Sequence, residues 1–507
     1  MSRPRVGVVV LAGGRAKRFR STTPKVLHRA LGRPLLGWIL EQLRALHRSQ
    51  RLERVCVVVP PGGAVEAAVG DLRYPFPVDF AVQREPRGTG DAARVGSRRL
   101  GGADEVLVIA GDMPLIRADS LEAMIHTRRS AGASAGMLSC EPSDPGALGR
   151  IQRDAGGRVV GIVEARDATD AQLAIREVGL SAYVFAQDAL ARFLPRLRNV
   201  NAAGEYYLTD AVALLADDGA GVTAVVTDPE EGIGANTRAE FDAIRRVLHG
   251  RTIDALFDHG VTVVDADTTY VDAGVEVGAE TVLLPNTFLE GSTRVGEGCE
   301  IGPNVRLVDT RVRDRAVVTF AVARGSDIGP EAEVGPFASL REGTVLKRGA
   351  KAGTFVEMKA AKIGEGTKVP HLSYMGDVTV GKDGNIGAGT ITCNYNPFEL
   401  APDGSSKHKT WIGDDVYTGS DTMLVAPVRI GRGSQTGAAS VVTRNVGERK
   451  LVYGAPATER GRAKERADGK GGRSKSERPK AAKRSSPKRK TSGRESKAKS
   501  RKRKGGT

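Results

Sequence analysis

Residues 6–25 read VGVVVLAGGRAKRFRSTTPK. An apolar run, Val6 to Leu11, opens straight into Gly13-Gly14, and Arg15, Lys17, Arg18, Arg20 and Lys25 follow closely. Glycines let backbone N–H groups come close to an anion, and Arg and Lys neutralise it, so this turn has the chemistry of a phosphate cradle. A solvated basic turn is the plain alternative. The turn matches neither G-x-x-x-x-G-K-[ST] nor G-x-G-x-x-G, so a nucleotide site here is of another kind. Two further polar clusters, VIAGDM (108–113) and QREPRGTGDAA (83–93), also follow apolar runs.

The elements that must position these clusters are legible in outline. RVGVVVL, RVCVVVP, EVLVIAGD, ASAGMLSC and VTAVVT have the apolar continuity of buried strands, while LLGWILEQLRALHRS and SLEAMIHTRRS have helical spacing. Their alternation predicts a mostly parallel α/β sheet. Ligands of such sheets sit at the carboxyl ends of strands, where all three clusters fall. NTRAEFDAIRRVLHGRTIDALFDHG, from Asn236, predicts a long linking helix with Asn236 as its cap.

Beyond it the pattern changes. Val277-Gly278, Val295-Gly296 and Ile301-Gly302 begin a series of aliphatic-glycine pairs spaced at multiples of six. Ile328-Gly329 with Val334-Gly335, Val380-Gly381 with Ile386-Gly387, and Ile412-Gly413 with Ile430-Gly431 continue it. A period of six, three hexapeptides to the turn, predicts a β-helix with each aliphatic pointing inward and each glycine easing a corner. Residues 392–410 (TCNYNPFELAPDGSSKHKT) break the period and read as a loop leaving one coil. The expected organisation is an α/β domain over 1–235, a linker helix over 236–260, a β-helix over 261–456 and a tail over 457–507.

Composition limits the function classes. The 507 residues suggest about three domains, and no run of about 18 apolar residues occurs. The N-terminal apolar run is too short for a secretory signal. The four cysteines, Cys56, Cys140, Cys299 and Cys393, are far apart with no CxxC, as in a reducing cytoplasm. From Glu459 to Thr507 there are 21 Lys and Arg against 5 Asp and Glu, a surplus equal to the net +16 of the whole chain. The body is therefore neutral. The tail holds no aromatic residue and no Val, Ile or Leu, so it reads as disordered. It could act as a non-specific anchor for polyanions, nucleic acid or an anionic membrane, or as an inert solubilising extension.

The motifs LAGGRAKRF, TPKVLH, GTGDA, AGDMPL, GIVEARDAT, GEYYLTD, LREGT, FVEMKAAKIG, KVPHLSYMGD, NIGAGTITCNYN and GSDTMLVAPV together resemble one family across about residues 5–456. It is the bacterial bifunctional N-acetylglucosamine-1-phosphate uridyltransferase/glucosamine-1-phosphate acetyltransferase family. The resemblance implies a nucleotidyltransferase domain followed by a left-handed parallel β-helix. It implies UTP, acetyl-CoA and Mg²⁺, small-molecule substrates, and a homotrimer formed through the β-helix.

In the first domain the resemblance places Leu11, Gly13, Gly14, Arg18, Lys25, Gln83, Gly88 and Thr89 on UTP, and Gly149 and Glu164 on the sugar. Asp112 and Asn236 become the magnesium ligands, oxygen donors as a hard cation prefers. In the β-helix it makes His371 the general base and Glu357 its acidic support. Arg341, Lys359, Tyr374 and Asn385 hold the sugar phosphate and sugar. Ala388, Asn394, Lys409, Ser420 and Ala438 fall on acetyl-CoA positions or the loop beside them. Read without the family, Asp112 is a turn residue, Asn236 a helix cap and His371 a structural corner residue.

Three features depart from the family pattern. Ala16 and Lys17 replace a glycine and a small hydroxyl residue in the signature turn. Gly179-Leu180-Ser181 stands where the family has Asn-Thr-Gly against the sugar, and losing one such hydrogen bond costs about 1–3 kcal/mol. Ala455 stands where an Arg meets CoA. Three readings stay open: the full bifunctional enzyme; an acetyltransferase whose first domain serves another sugar phosphate or is weakly active; and a polyanion-binding scaffold working through its tail.

Overall fold

The computed structural model describes residues 3–14, 17–70 and 73–462. Arg15, Ala16 and the tail from residue 463 lie outside the described residues. The first domain is built on a sheet whose strands run in the order Val222–Val226, Ala135–Cys140, Val178–Ala186, Glu105–Ala110, Arg5–Leu11, Arg51–Val59 and Val78–Val82. Arg5–Leu11 pairs parallel with both of its neighbours. Val178–Ala186 runs antiparallel between two strands that share the other direction. A hairpin, Arg150–Arg153 with Val159–Val163, joins it at Val178. The helices Leu35–Leu46, Thr89–Ser97 and Ala118–Ser130 cover the sheet. Val6, Val8 and Val10 pack into one apolar core and Val9 into another, as the alternation of a strand buried on both faces requires.

The linking helix spans Arg238–Asp258. Its cap is Thr237, whose side chain accepts from the Glu240 backbone N–H at 3.2 Å, and not Asn236. The Asn236 backbone N–H donates instead to the Glu240 carboxylate at 3.1 Å, which leaves the Asn236 side chain for the site.

The β-helix consists of three parallel sheets of short strands around one core. Leu283 stacks on Ile301, Ile301 on Val318 and Val318 on Val334. The glycine after an aliphatic is demanded by a neighbouring coil. A Cβ on Gly364 would lie 2.2 Å from the Gly381 carbonyl oxygen of the next coil. The period breaks where expected: the chain leaves the coil after the strand Ile391–Cys393 and returns at Thr410–Ile412, with Phe398 almost fully exposed at the tip of the excursion. At the C-terminal end Ala457–Arg462 forms a strand antiparallel to Lys450–Gly454. This pairing reaches six residues past 456, where the β-helix was expected to end. Backbone pairing needs no apolar side chains, so composition could not reveal this strand.

The two domains meet at the turn between Arg29–Ala30 and Arg33–Pro34, where the Ala273 backbone N–H donates to the Leu31 carbonyl at 3.0 Å. Cys56, Cys140 and Cys299 are buried and Cys393 is partly exposed; burial pushes the Cys56 and Cys140 thiols up to about 11. Among the described residues no helix is long and apolar enough to cross a membrane.

Candidate active sites

The first site is a cavity of about 750 Å³ at the carboxyl ends of the central strands. Its walls include Leu11, Gly13, Gly14, Arg18, Lys25, Gln83, Gly88 and Thr89, together with Asp112 and Asn236. All ten nucleotide and metal candidates thus converge from separate segments. Each is set by its element. Leu11 closes the first strand, and Asp112 stands two residues past Glu105–Ala110. Thr89 begins a helix and Asn236 precedes the long one. The Thr89 hydroxyl accepts from the Leu208 backbone N–H at 3.0 Å.

Gln83 is 8% exposed. Its amide N–H₂ donates to the Gly88 carbonyl at 3.2 Å and to Asp91 at 3.0 Å. Both donors are thereby engaged, and its Oε1 lies toward Gly13, 3.1 Å from where a Cβ there would stand. Gly88 has φ +107° and ψ 174°, a conformation closed to L side chains, and a Cβ on it would meet the Tyr206 carbonyl oxygen at 2.5 Å.

The Lys25 ammonium is ion-paired to Asp112 and donates to Asn236 Oδ1 at 3.2 Å. One position is therefore shared by two oxygen donors. Mg²⁺ usually takes one or two protein oxygens and completes its octahedron with water and substrate phosphates. Among the described residues no group of three or more His, Cys, Asp or Glu could hold a metal. The pair fits a magnesium ion finished by a nucleotide, not an all-protein cage.

The sugar candidates, Gly149 and Glu164, line neither this cavity nor the space beside it. Arg18, Asp112, Leu148, Ser181 and Asn236 line an adjoining space of about 500 Å³. The Gly149 carbonyl accepts from the Gly179 N–H at 2.9 Å. Glu164 follows the hairpin strand Val159–Val163 and accepts from the Thr209 hydroxyl at 2.9 Å. Burial pushes its carboxyl up; the Thr209 bond pulls the other way. A Cβ on Gly179 would stand 3.0 Å from the Met137 methyl, so a side chain there must displace an apolar neighbour. Arg166, Ser181 and Glu205 also line the nucleotide cavity. They belong to GIVEARDAT, GLS and GEYYLTD, but nothing in their spacing marked them individually.

The second set lies on the β-helix. Met358 and Met375 point into the core, so the alternating neighbours Glu357, Lys359 and Tyr374 face outward. Glu357 stacks beneath Tyr374, and Arg341 donates to the Glu357 carboxylate at 3.0 Å. His371 stacks on Thr354 one coil on. Its carbonyl accepts from Gly389 N–H at 3.4 Å, that of Ala388 from Asp421 N–H at 2.7 Å, and that of Ser420 from Ala439 N–H at 2.8 Å. His371, Ala388, Ser420 and Ala438 thereby climb one corner on successive coils. Asn385 bridges Lys368 and Tyr417 on a neighbouring sheet. Asn394 is buried at the root of the loop and donates to Asp377; Lys409 is exposed at the loop's other end. His371, Lys409, Ser420 and Ala438 are all exposed, so this face is open within one subunit. Glu357 is tied to Arg341, not to the His371 imidazole.

An α/β domain with a nucleotide-sized cavity carrying basic residues, fused to a parallel β-helix with a histidine on one corner, defines a nucleotidyltransferase joined to a hexapeptide acyltransferase. Residues 8–176 match the MobA-like NTP transferase domain. The chain is 45% identical over 444 residues to the bifunctional protein GlmU of Streptomyces coelicolor, covering 87% of this chain and 89% of that protein. It is 42% identical to the GlmU proteins of Carboxydothermus hydrogenoformans and Thermotoga maritima, covering 88% of this chain and 96% and 95% of those proteins. The chain belongs to the GlmU family of bifunctional proteins.

Proposed function

We propose that this chain makes UDP-N-acetylglucosamine in two steps, acetyl transfer in the β-helix and uridyl transfer in the α/β domain. The observation that carries the second step is the convergence of the glycine turn, Arg18, Lys25, Gln83, Asp112 and Asn236 on one cavity. In the acetyl step the His371 imidazole takes a proton from the amine of glucosamine 1-phosphate as nitrogen attacks the thioester carbonyl. The C–S bond breaks and CoA leaves. Imidazole is the side chain most often used as a general base. Arg341 and Lys359 hold the sugar phosphate and orient Glu357. Ala388, Ser420 and Ala438 offer CoA a corner free of large side chains, flanked by Asn394 and Lys409.

In the uridyl step a phosphate oxygen of N-acetylglucosamine 1-phosphate attacks the α-phosphorus of UTP, and pyrophosphate leaves. Placement and charge neutralisation supply the catalysis. Gln83 presents its amide oxygen to the uracil ring N–H, Gly13 and Gly14 flank the nucleotide, and Arg18 and Lys25 meet the phosphates. Glu164 and Gly149 orient the sugar. Asp112 and Asn236 would hold Mg²⁺, which neutralises phosphate charge when bound.

The open, exposed corner at His371 supports a homotrimer in which a neighbouring subunit closes the acetyl site. Beside it Phe337, Phe355 and Leu372 are 54%, 57% and 61% exposed, more apolar surface than an isolated prism needs. Buried free cysteines and the absence of a spanning helix among the described residues support a cytoplasmic location. The tail reading, a salt-sensitive polyanion anchor, rests on composition alone.

Asp112→Asn tests the separation of the two steps. It should abolish magnesium-dependent uridyl transfer and leave acetyl transfer at the wild-type rate. Loss of both activities, or of neither, would refute the assignment.

A further inference from the structure

The Lys25 ammonium lies between the two oxygens assigned to the metal. It is paired with the Asp112 carboxylate and donates to Asn236 Oδ1 at 3.2 Å. Three unconnected segments meet there: the chain after the glycine turn, the loop just past a central strand, and the chain leading into the linking helix. The Lys25 and Asp112 side chains are only 13% and 18% exposed. A carboxylate so far from water needs a cation beside it. We infer that Lys25 is the place-holding cation of this site: its ammonium occupies the metal position in the free protein and is displaced toward the nucleotide phosphates when a divalent cation takes that position.

The path for that displacement is short. Lys25 Cε lies 3.6 Å from where a Cβ on Gly14 would stand, so the stem already runs along the glycine turn. Gly13, Gly14 and Arg18 line the same cavity, and released ammonium has phosphate acceptors within it. One cation thus satisfies Asp112 in the free state and the triphosphate in the loaded state. Two consequences follow from linkage. Free protein binds divalent cation more weakly than its oxygens alone would, by the fraction of molecules in which Lys25 has vacated the position. Metal and nucleotide help each other through Lys25 as well as through any direct bond between them.

The inference rests on the assignment of Asp112 and Asn236 as metal ligands, and the test separates the two. The probe is Mn²⁺, titrated without nucleotide into the full chain and read by the electron paramagnetic resonance of the free ion. Lys25→Met should tighten Mn²⁺ binding about tenfold or more, since a charge-assisted pair of this kind is worth about that factor. Asp112→Asn should abolish binding. In the unaltered chain, the rate at which an amine-modifying reagent labels Lys25, read by mass spectrometry, should rise severalfold when Mg²⁺ is added. It should be high, and indifferent to Mg²⁺, in Asp112→Asn. Unchanged or weaker Mn²⁺ binding by Lys25→Met, or Lys25 labelling that Mg²⁺ leaves unchanged or slows, would overturn the place-holding role while sparing the metal site. Normal Mn²⁺ binding by Asp112→Asn would overturn the metal site itself. The labelling arm needs no substitution at Lys25, so a folding defect in that variant cannot hide the answer.

Discussion

Gly88→Ala is a one-methyl change that should weaken one activity alone. Gly88 precedes the helix Thr89–Ser97 with φ +107° and ψ 174°, a region in which an L residue costs about 1–3 kcal/mol. A methyl there would stand 2.5 Å from the Tyr206 oxygen, 2.8 Å from the Tyr206 nitrogen and 3.0 Å from Glu205 Cβ. The backbone neighbour cannot step aside cheaply, because Tyr206 N–H donates to Arg87 and Tyr206 oxygen accepts from Gly90, both at 2.8 Å. Residue 88 must therefore move, and its carbonyl is one of the two acceptors that hold the Gln83 amide. Losing the orientation of Gln83 removes one hydrogen bond to the base, worth about 2 kcal/mol, or roughly thirtyfold in affinity. Isothermal titration with UTP and Mg²⁺ should show that weakening, and the KM for UTP should rise in parallel. Acetyl transfer should be unchanged, since the β-helix has its own core. UTP affinity within twofold of wild type would refute both the geometry and the role given to Gln83.

Three further outcomes are expected. His371→Ala should lower acetyl transfer by about 10²–10⁴-fold across neutral pH and leave uridyl transfer intact, as half-reactions assayed separately would show. Glu164→Gln should raise the KM for N-acetylglucosamine 1-phosphate while stabilising the first domain near neutral pH. Burial holds the Glu164 carboxyl above its ordinary range, so its contribution to folding is full below about 4 and is lost as pH rises through its folded value. The melting temperature of the variant should therefore gain on wild type between pH 4 and 7, and a constant difference would contradict this. A chain ending at Arg462 should keep both activities but lose retention on nucleic acid or anionic vesicles at low salt; equal retention would remove the tail as an anchor.

The β-helix was legible because its constraint is local and repeated. Each coil needs an inward aliphatic and a residue without a Cβ where the next coil passes, and Ile363-Gly364 shows why. The sheet was less so. An apolar run such as Val178–Ala186 has the same composition whichever way it points, and only pairing reveals that it is antiparallel. The cap of the linking helix turned on one residue. Asn236 and Thr237 can both accept from a helix N–H, and the choice is made by Lys25 and Glu240, which engage Asn236 from elsewhere. Arg166 and Glu205 reach the nucleotide cavity on loops, where no periodicity announces a contact. The acetyl set was marked by its motifs, but its arrangement was not. It became a corner column only once coils of unequal length, such as Ile301 to Val318 and Val318 to Val334, had been stacked.

The most direct test of the central claim supplies one purified chain with glucosamine 1-phosphate, acetyl-CoA, UTP and Mg²⁺, and identifies every product by mass spectrometry. Free CoA, pyrophosphate and UDP-N-acetylglucosamine should accumulate in equal amounts, with N-acetylglucosamine 1-phosphate passing through as an intermediate. Accumulation of N-acetylglucosamine 1-phosphate with no uridyl product would contradict the account of the first domain. Release of no CoA would contradict the assignment of His371 and its corner.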